Sequence, residues 1–230
     1  MRIRGIIFDK DGTLLRFGET WNVWCEQCLT HLAAGDSILR EAIAEAIDYD
    51  LVTCSFRPKS VAVSGTTREI AATIAPLITA MDISELEAFL NEKSATTPLV
   101  QITPLKKFVH RFTQNGIKIG VVTNDSQVNA VRQLKQVNIL KELNFIAGYD
   151  SGFGAKPSYE PLLAFAKHVM LAPENIAMVG DTLHDMIAGR CAGMKTIAVL
   201  TGLSRREEID RHADVVLQDI SEIPALLGLD

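Results

Sequence analysis

Four aspartates stand in two closely spaced pairs, and each pair follows an apolar run. Asp9 and Asp11 occur in IIFDKDGT, and Asp181 and Asp185 occur in AMVGDTLHD. Carboxylates that are brought together repel one another, which raises their pKa values unless a cation offsets the charge. A set of oxygen ligands, in a chain with only five histidines, favours a hard cation, Mg²⁺ in preference to Zn²⁺. The two pairs therefore indicate a magnesium site.

Two other motifs carry groups that bind phosphate. Lys156, in GAKPSYEP, provides a fixed positive charge, and Thr123, in VVTND, provides a hydroxyl donor beside the backbone N–H groups of the turn 123–125. Together with a cation, these groups can clamp a phosphoryl group. An aspartate can then attack phosphorus and form an aspartyl-phosphate. A second aspartate, two positions away, can protonate the leaving alkoxide and then activate water, so the residue types favour phosphoryl transfer.

Each motif alone is more typical of a turn, a helix cap or a strand exit. A chemical role for the motifs therefore depends on whether the secondary-structure elements bring them together. From residue 104 onward, short β-branched segments alternate with segments of helical spacing. This alternation predicts an α/β fold, a Rossmann-like parallel sheet with helices on both faces. Such sheets bind ligands at the carboxyl ends of their strands, where these motifs fall. The strands are predicted at 2–8, 117–123, 144–148, 175–181 and 195–200.

The segment 17–97 breaks the alternation. It has helical spacing and no convincing strand, and Pro76 should kink or shorten one of its helices. We therefore predict an all-α module inserted after the first strand, with residues 1–16 and 98–230 forming the α/β core domain. The helices of the module are predicted at 19–33, 36–48, 66–80 and 83–93.

Composition excludes several classes of protein. No apolar run approaches the roughly 20 residues that span a bilayer, and the first residues lack the pattern of a signal peptide. The net charge of -5 argues against nucleic acid as a partner. We expect a cytoplasmic protein, a monomer or homodimer, without a membrane partner. Cys25 and Cys28 form a CxxC on a predicted helix, where buried hydrophobic residues are the better interpretation than a zinc or redox site.

The motifs together resemble those of the haloacid dehalogenase superfamily. Its DxDGT motif matches residues 9–13, its strand-closing Thr matches Thr123, its lysine matches Lys156, and its GDxxxD motif matches residues 180–185. All four occur in the family's order between residues 6 and 202. The helical segment after the first motif resembles the family's small helical cap, which would make 17–97 a cap domain. The stretches AGRCAGMKTIAVLTG and ADVVLQDISEIPALL resemble the phosphoglycolate phosphatase-like branch.

The resemblance implies a role for each matched residue. Asp9 would be the nucleophile and a Mg²⁺ ligand, and Asp11 the general acid and base, with its backbone carbonyl on the metal. Thr123 and the Asn124 amide would bind phosphoryl oxygens, and Lys156 would neutralise the nucleophile and the phosphate. Asp181 would complete the metal site, and Asp185 would bind the metal directly or, as we favour, through water.

Two residues at variable positions of these motifs are given no chemical role. Lys10 is expected to lend only its backbone N–H to phosphate, with its side chain in the sheet region or in solvent. His184 is expected on the surface or facing the cap.

The resemblance implies a Mg²⁺-dependent phosphatase that hydrolyses a small phosphorylated metabolite, with a phosphoglycolate-like phosphomonoester as the first guess. Two alternatives stay open: a sugar-phosphate mutase of the β-phosphoglucomutase kind, and a catalytically idle binding protein on the same fold. A dehalogenase is disfavoured because those relatives lack the second aspartate of the first motif. Cap closure would exclude water and set specificity. The candidate specificity residues are Arg16, which departs from the acidic residue of many relatives, and Trp21, Arg57 and Arg68.

Overall fold

The computed structural model describes residues 3–229, and its first element is the strand β1 (Gly5–Phe8). All four residues of β1 are buried. Because successive side chains of a strand point to opposite faces, Ile6 and Phe8 join one hydrophobic cluster and Ile7 joins another. A strand that is buried on both faces reads as a continuous apolar run, as this one does.

The segment 17–97, called the insert below, follows β1, and most of a separate hydrophobic cluster lies in it, including Trp24, Cys25, Cys28 and Leu86. The buried positions of Cys25 and Cys28 confirm their interpretation as small hydrophobic residues. The insert begins with the helices α1 (Phe17–Ala33) and α2 (Ser37–Ala46) and the strands β2 (Tyr49–Asp50) and β3 (Ser55–Phe56). It continues with the helices α3 (Val61–Ser64), α4 (Thr67–Ile74) and α5 (Ile83–Ser94).

The remaining chain alternates between helices and strands. Its first half contains α6 (Leu105–Gln114), β4 (Lys118–Val122), α7 (Gln127–Gln136), β5 (Phe145–Ala147) and α8 (Glu160–Val169). Its second half contains β6 (Ile176–Gly180), α9 (Leu183–Cys191), β7 (Lys195–Val199), α10 (Arg206–Ile209), β8 (Val215–Leu217) and α11 (Ile223–Leu226).

The core sheet has six strands in the order β5-β4-β1-β6-β7-β8, and every neighbouring pair is parallel. The predicted α/β fold with helices on both faces is confirmed. In this order β1 lies between β4 and β6, so the motifs that follow these three strands emerge side by side. The carboxyl ends of all three therefore define one edge of the sheet.

The sequence pattern predicted most of these elements and missed a few. The predicted helix 66–80 is shortened at Pro76: α4 ends at Ile74, and a 3₁₀ turn continues to Leu77. The strand β8 was not predicted, and neither was the short hairpin of β2 and β3 within the otherwise helical insert. Strands of two or three residues are too short to show an alternating pattern. Met1, Arg2 and Asp230 lie outside the described residues, although the predicted strand 2–8 and the predicted core bounds include some of them.

No helix in residues 3–229 is both long enough and apolar enough to cross a membrane.

Candidate active site

Three aspartates meet at the carboxyl edge of the sheet. Asp9 follows β1 and Asp181 follows β6, two strands that pair with Phe8 opposite Val179. One carboxylate oxygen each from Asp9, Asp181 and Asp185 lies within 4.8 Å of the other two, and all three residues are buried. The tertiary structure thus brings together carboxylates that are more than 170 residues apart in the chain.

Lys156 is the ammonium within this cluster. Its Nζ lies 2.5 Å from Asp9 Oδ1 and 2.6 Å from Asp185 Oδ1. Burial alone would lower the pKa of Lys156, but the carboxylates of Asp185 and Asp9 raise it above its ordinary value. Lys156 therefore stays positively charged beside Asp9 and Asp185.

One ammonium does not balance three buried carboxylates. Burial raises the pKa of Asp9 to about 7, although the Lys156 ammonium opposes the rise. Burial also raises the pKa of Asp181 well above its ordinary value, and the carboxylate of Asp9 adds to this rise. The cluster therefore has an excess of negative charge that a bound cation would neutralise.

Asp181 is held in place by close packing on two sides. Thr13 Oγ1 donates a hydrogen bond to Asp181 Oδ1 over 3.0 Å. A Cβ atom at Gly12 would lie 2.4 Å from Asp181 Oδ2, and one at Gly202 would lie 1.7 Å from the same oxygen. Gly12 also has a φ of +86°, which residues with side chains rarely adopt. Only glycine fits these two positions while Asp181 keeps its orientation.

Asp185 uses both of its carboxylate oxygens within the protein. Oδ2 accepts hydrogen bonds from the backbone N–H and the hydroxyl of Thr182, at 3.0 and 2.7 Å, in a capping box at the start of α9. Oδ1 accepts from Lys156. Both oxygens of Asp185 therefore have hydrogen-bond partners within the protein.

The loop after β4 carries Thr123 and Asn124, the residues that the resemblance assigned to phosphate binding. Thr123 is buried, and its Oγ1 accepts a hydrogen bond from the backbone N–H of Asp125 over 3.1 Å, which leaves the hydroxyl hydrogen free to donate. The Asn124 side chain donates to the carbonyl of Lys156 over 2.7 Å and accepts from the N–H of Lys156 over 2.9 Å. Asn124 thereby fixes the backbone of the residue that carries the ammonium, a role that the sequence did not indicate.

The expectation for the Lys10 side chain was incomplete. Lys10 is fully buried, and its Nζ lies 2.5 Å from Asp11 Oδ2 and 3.2 Å from Asp125 Oδ2. Burial alone would lower the pKa of Lys10, but these two carboxylates raise it. The two aspartates of the DxD motif therefore have separate ammonium partners: Lys156 contacts Asp9, and Lys10 contacts Asp11.

The insert closes over the carboxyl edge and leaves a chamber of about 50 Å³. Because one water requires roughly 10–15 Å³ when volume is measured in this way, the chamber has room for a few groups of the size of water. The side chains that the core contributes include Asp9, Asp11, Thr123 and Lys156. The insert contributes only uncharged residues among those described, namely Phe17, Trp21, Ala62, Val63, Ser64, Gly65, Thr67 and Ile70.

A larger cavity of about 650 Å³ adjoins the chamber and shares Val63, Ser64, Thr182 and His184 with it. His184 Nδ1 lies 3.1 Å from the carbonyl oxygen of Ser64, so His184 faces the insert, one of the two positions expected for it. This outer cavity is the direction in which a leaving group larger than the chamber could extend.

The four specificity candidates, three in the insert and Arg16 just before it, differ in position. Trp21 lines the inner chamber, and Arg57 lines the outer cavity, where it forms ion pairs with Asp48 and Asp50. Arg68 pairs with Glu87 over 2.8 Å and lines neither cavity. Arg16 precedes α1, and its backbone N–H bonds to the carbonyl of Val100. Exposed arginines cannot be placed from the sequence, because the direction of their side chains depends on the tertiary fold.

The donor set fits a hard divalent cation. Asp9 and Asp181 supply buried carboxylate oxygens. These are oxygen ligands with excess negative charge, as Mg²⁺ requires. Cys25 and Cys28 lie in the separate hydrophobic cluster of the insert and do not contribute to this site.

Comparisons with known proteins agree with this geometry. A family model for haloacid dehalogenase-like hydrolases matches residues 6–199. The chain is 31% identical to phosphoglycolate phosphatase from Escherichia coli over 115 residues, which cover 50% of this chain and 46% of that relative. It is 26% identical to N-acetylmuramic acid 6-phosphate phosphatase from Pseudomonas putida over 231 residues, which cover 97% of this chain and 95% of that relative.

A solved structure shares the fold across nearly the whole chain. The protein CbbY from Rhodobacter sphaeroides, in complex with phosphate, superposes with a TM-score of 0.75 at 20% identity and covers 96% of each chain.

The fold is a parallel α/β sheet with an acidic cluster at its strand ends, and the chain belongs to the haloacid dehalogenase-like hydrolase family. Within the family it is similar to phosphoglycolate phosphatase-like members. The alignment with the E. coli enzyme spans about half of either protein, so the reaction of this chain has to be argued from its own site.

Proposed function

We propose that this protein is a Mg²⁺-dependent phosphatase that hydrolyses a small phosphomonoester in the cytoplasm through an aspartyl-phosphate on Asp9. The observation that carries the proposal is the pair of lysine contacts: Lys156 lies 2.5 Å from Asp9, and Lys10 lies 2.5 Å from Asp11. The two carboxylates of one motif are thereby held separately, as two different chemical roles require. Two of the relatives are named as phosphatases, which supports the same class of reaction.

In the first proposed step, a carboxylate oxygen of Asp9 attacks phosphorus and the ester P–O bond breaks. Asp11 gives its proton to the departing alkoxide, which leaves as an alcohol. Lys156 and the hydroxyl of Thr123 bind phosphoryl oxygens, so the charge that develops there meets groups already in position.

In the second step, Asp11, now a carboxylate, takes a proton from a water molecule as the water oxygen attacks phosphorus. The bond between phosphorus and Asp9 breaks, and inorganic phosphate and the free Asp9 carboxylate result. Asp11 donates a proton in the first step and accepts one in the second, so a single aspartate beside the nucleophile serves both steps.

Asp9, Asp181 and the backbone carbonyl of Asp11 would hold Mg²⁺, with Asp185 holding Lys156 beside it. When bound, the ion neutralises the excess negative charge and orients the phosphoryl oxygens. The raised pKa values of Asp9 and Asp181 support this assignment, because they show carboxylates that lack a sufficient counter-charge.

We propose that residues 17–97 act as a cap that excludes bulk water and contacts the leaving group. The separate hydrophobic cluster of the insert and its position over the chamber support this function. The uncharged insert wall favours a leaving group that is neutral next to the phosphate. A leaving group with a carboxylate, such as that of phosphoglycolate, would meet cations in the outer cavity, which Arg57, Lys59 and Arg205 line.

The test is a panel of phosphorylated metabolites that includes phosphoglycolate, sugar phosphates and pyrophosphate, assayed for free phosphate with Mg²⁺ and with EDTA. We expect hydrolysis that EDTA abolishes and that is lost in Asp9→Asn with the circular dichroism spectrum unchanged. Release of phosphate from a single phosphosugar would argue against the mutase alternative. Substantial turnover by Asp9→Asn would refute the nucleophile, and inactivity on the entire panel would favour the idle binding protein.

A further inference from the structure

Lys10 occupies the position between the two aspartates of the DxD motif, and oxygen atoms of three side chains contact its ammonium. Its Nζ donates to Asp11 Oδ2 and to Gln133 Oε1, each at 2.5 Å, and forms an ion pair with Asp125 Oδ2 at 3.2 Å. The Lys10 side chain has 0% exposure. Burial of an ammonium costs several kcal/mol unless partners surround it, so a lysine at this site needs a built environment.

The contact with Lys10 distinguishes the two oxygens of Asp11. Oδ2 is occupied by the Lys10 ammonium, whereas Oδ1 is buried and has no hydrogen-bond partner among residues 3–229. A carboxylate with one oxygen fixed and the other available is oriented for proton transfer through the available oxygen.

Lys10 also connects Asp11 to both ends of the insert. At the first end, its Nζ lies 5.6 Å from the ring centroid of Trp21 on α1. At the second end, Gln133 Nε2 lies 3.4 Å from the carbonyl of Ser94, the last residue of α5.

A second polar connection runs from Asp125 to the same end of α5. Asn129 Nδ2 donates to Asp125 Oδ1 over 3.4 Å and to Ser94 Oγ over 2.6 Å. Asp125, Asn129 and Ser94 are all buried. The Lys10 ammonium thus lies between Asp11, the proposed proton-transfer group, and the two ends of the insert, α1 and the end of α5.

We propose that Lys10 is a positioning residue that fixes the orientation of Asp11 and makes it depend on the position of the insert. This inference rests on the proposed phosphatase function. It predicts that loss of Lys10 impairs protonation of the leaving group and leaves phosphoryl binding and attack by Asp9 intact. An alkyl phosphate needs that proton, whereas p-nitrophenyl phosphate has a leaving group that departs without it.

The experiment compares kcat/KM for two substrates, because kcat/KM reports the steps up to departure of the leaving group. The substrates are p-nitrophenyl phosphate and the alkyl phosphate that the wild-type protein hydrolyses best. For Lys10→Met, we expect kcat/KM to fall about 10- to 100-fold more for the alkyl phosphate than for p-nitrophenyl phosphate, a part of the 10²–10⁴ that general acid catalysis contributes. Lys10→Arg should recover part of the loss, and Lys135→Met, an exposed lysine on α7, should match the wild type.

Two further variants test the proposal in case Lys10→Met does not fold. Lys10→Met with Asp125→Asn removes the carboxylate that would be left buried, and Gln133→Met keeps Lys10 but removes one of its partners. We expect the same substrate-dependent loss in the double variant and a smaller one in Gln133→Met. Equal losses on both substrates, no loss, or failure of all these variants to fold would each overturn the positioning role. Inactivity of the wild-type protein on both substrates would instead refute the proposed function.

Discussion

The side-chain amide of Asn124 donates a hydrogen bond to the backbone carbonyl of Ser64 over 2.7 Å. Asn124 belongs to the loop after β4, and Ser64 is the last residue of α3 in the insert. The same amide group holds the backbone of Lys156. One side chain of the loop after β4 therefore joins the insert to Lys156.

Asn124→Ala should weaken substrate binding and slow turnover, because it removes the bond to Ser64 and both bonds to Lys156. With about 1 kcal/mol for each hydrogen bond, we expect a loss of roughly 1–3 kcal/mol in the free energy of unfolding and a KM increased on the order of tenfold. Steady-state kinetics and urea denaturation measure the two effects. Asn115→Ala, at an exposed asparagine that bonds only within its own helix end, is the control, and equal kinetics for both variants would contradict this role.

The metal-free protein should lose stability as the pH rises from about 4 to about 7. The pKa of Asp9 is raised from 3.8 to about 7 in the folded state, so between these values the folded protein binds more protons than the unfolded chain. Stability contributed by the protonated carboxyl is therefore lost with rising pH. Thermal denaturation in EDTA across this range should show the decline, and Asp9→Asn should reduce it. A wild-type melting temperature that rises over the same range in EDTA would contradict the assignment.

Mg²⁺ should stabilise the protein, and Gly202→Ala should abolish most of that effect. A Cβ atom at Gly202 would lie 1.7 Å from Asp181 Oδ2, so the carboxylate must move away from the metal site. We expect the increase in melting temperature with Mg²⁺ to shrink and kcat/KM to fall by at least about tenfold, as other site displacements of this size do. Gly18→Ala is the matched control, because the nearest atom to its added Cβ is 3.4 Å away. Unaltered Mg²⁺ binding in Gly202→Ala, measured by calorimetry, would show that Asp181 is not a ligand.

Trp21→Phe should change the order of kcat/KM values among the substrates while the protein stays folded. The Trp21 side chain lines the chamber, and its indole N–H has no hydrogen-bond partner among residues 3–229, so its removal costs no protein hydrogen bond. We expect a loss of roughly 1–2 kcal/mol in the free energy of unfolding, because Phe is smaller than Trp and fills less of the space, with unequal changes in kcat/KM across the phosphate panel. Arg68→Ala, which removes an exposed ion pair with Glu87, should leave the ranking unchanged. Identical rankings for Trp21→Phe and the wild type would exclude Trp21 from leaving-group recognition.

The sequence by itself determined the parallel sheet and the residues at its strand ends. Apolar runs end at Asp9, Thr123 and Asp181, and parallel strands bring their carboxyl ends to one edge, so these residues had to meet. The helical insert also followed from the sequence, since the helical spacing and the capping pairs Thr66–Glu69 and Asp82–Glu85 are local features.

The tertiary structure decided which cation contacts which carboxylate and which face of the insert meets the site. Lysine side chains are long and flexible, so spacing along the chain did not show that Lys10 turns to Asp11, Gln133 and Asp125. The sequence also did not distinguish Trp21 from Arg68, because the direction of each side chain depends on the tertiary fold. Of these two residues, Trp21 lines the chamber. Pairings between distant residues depend on how the helices pack, and that packing is a property of the whole fold.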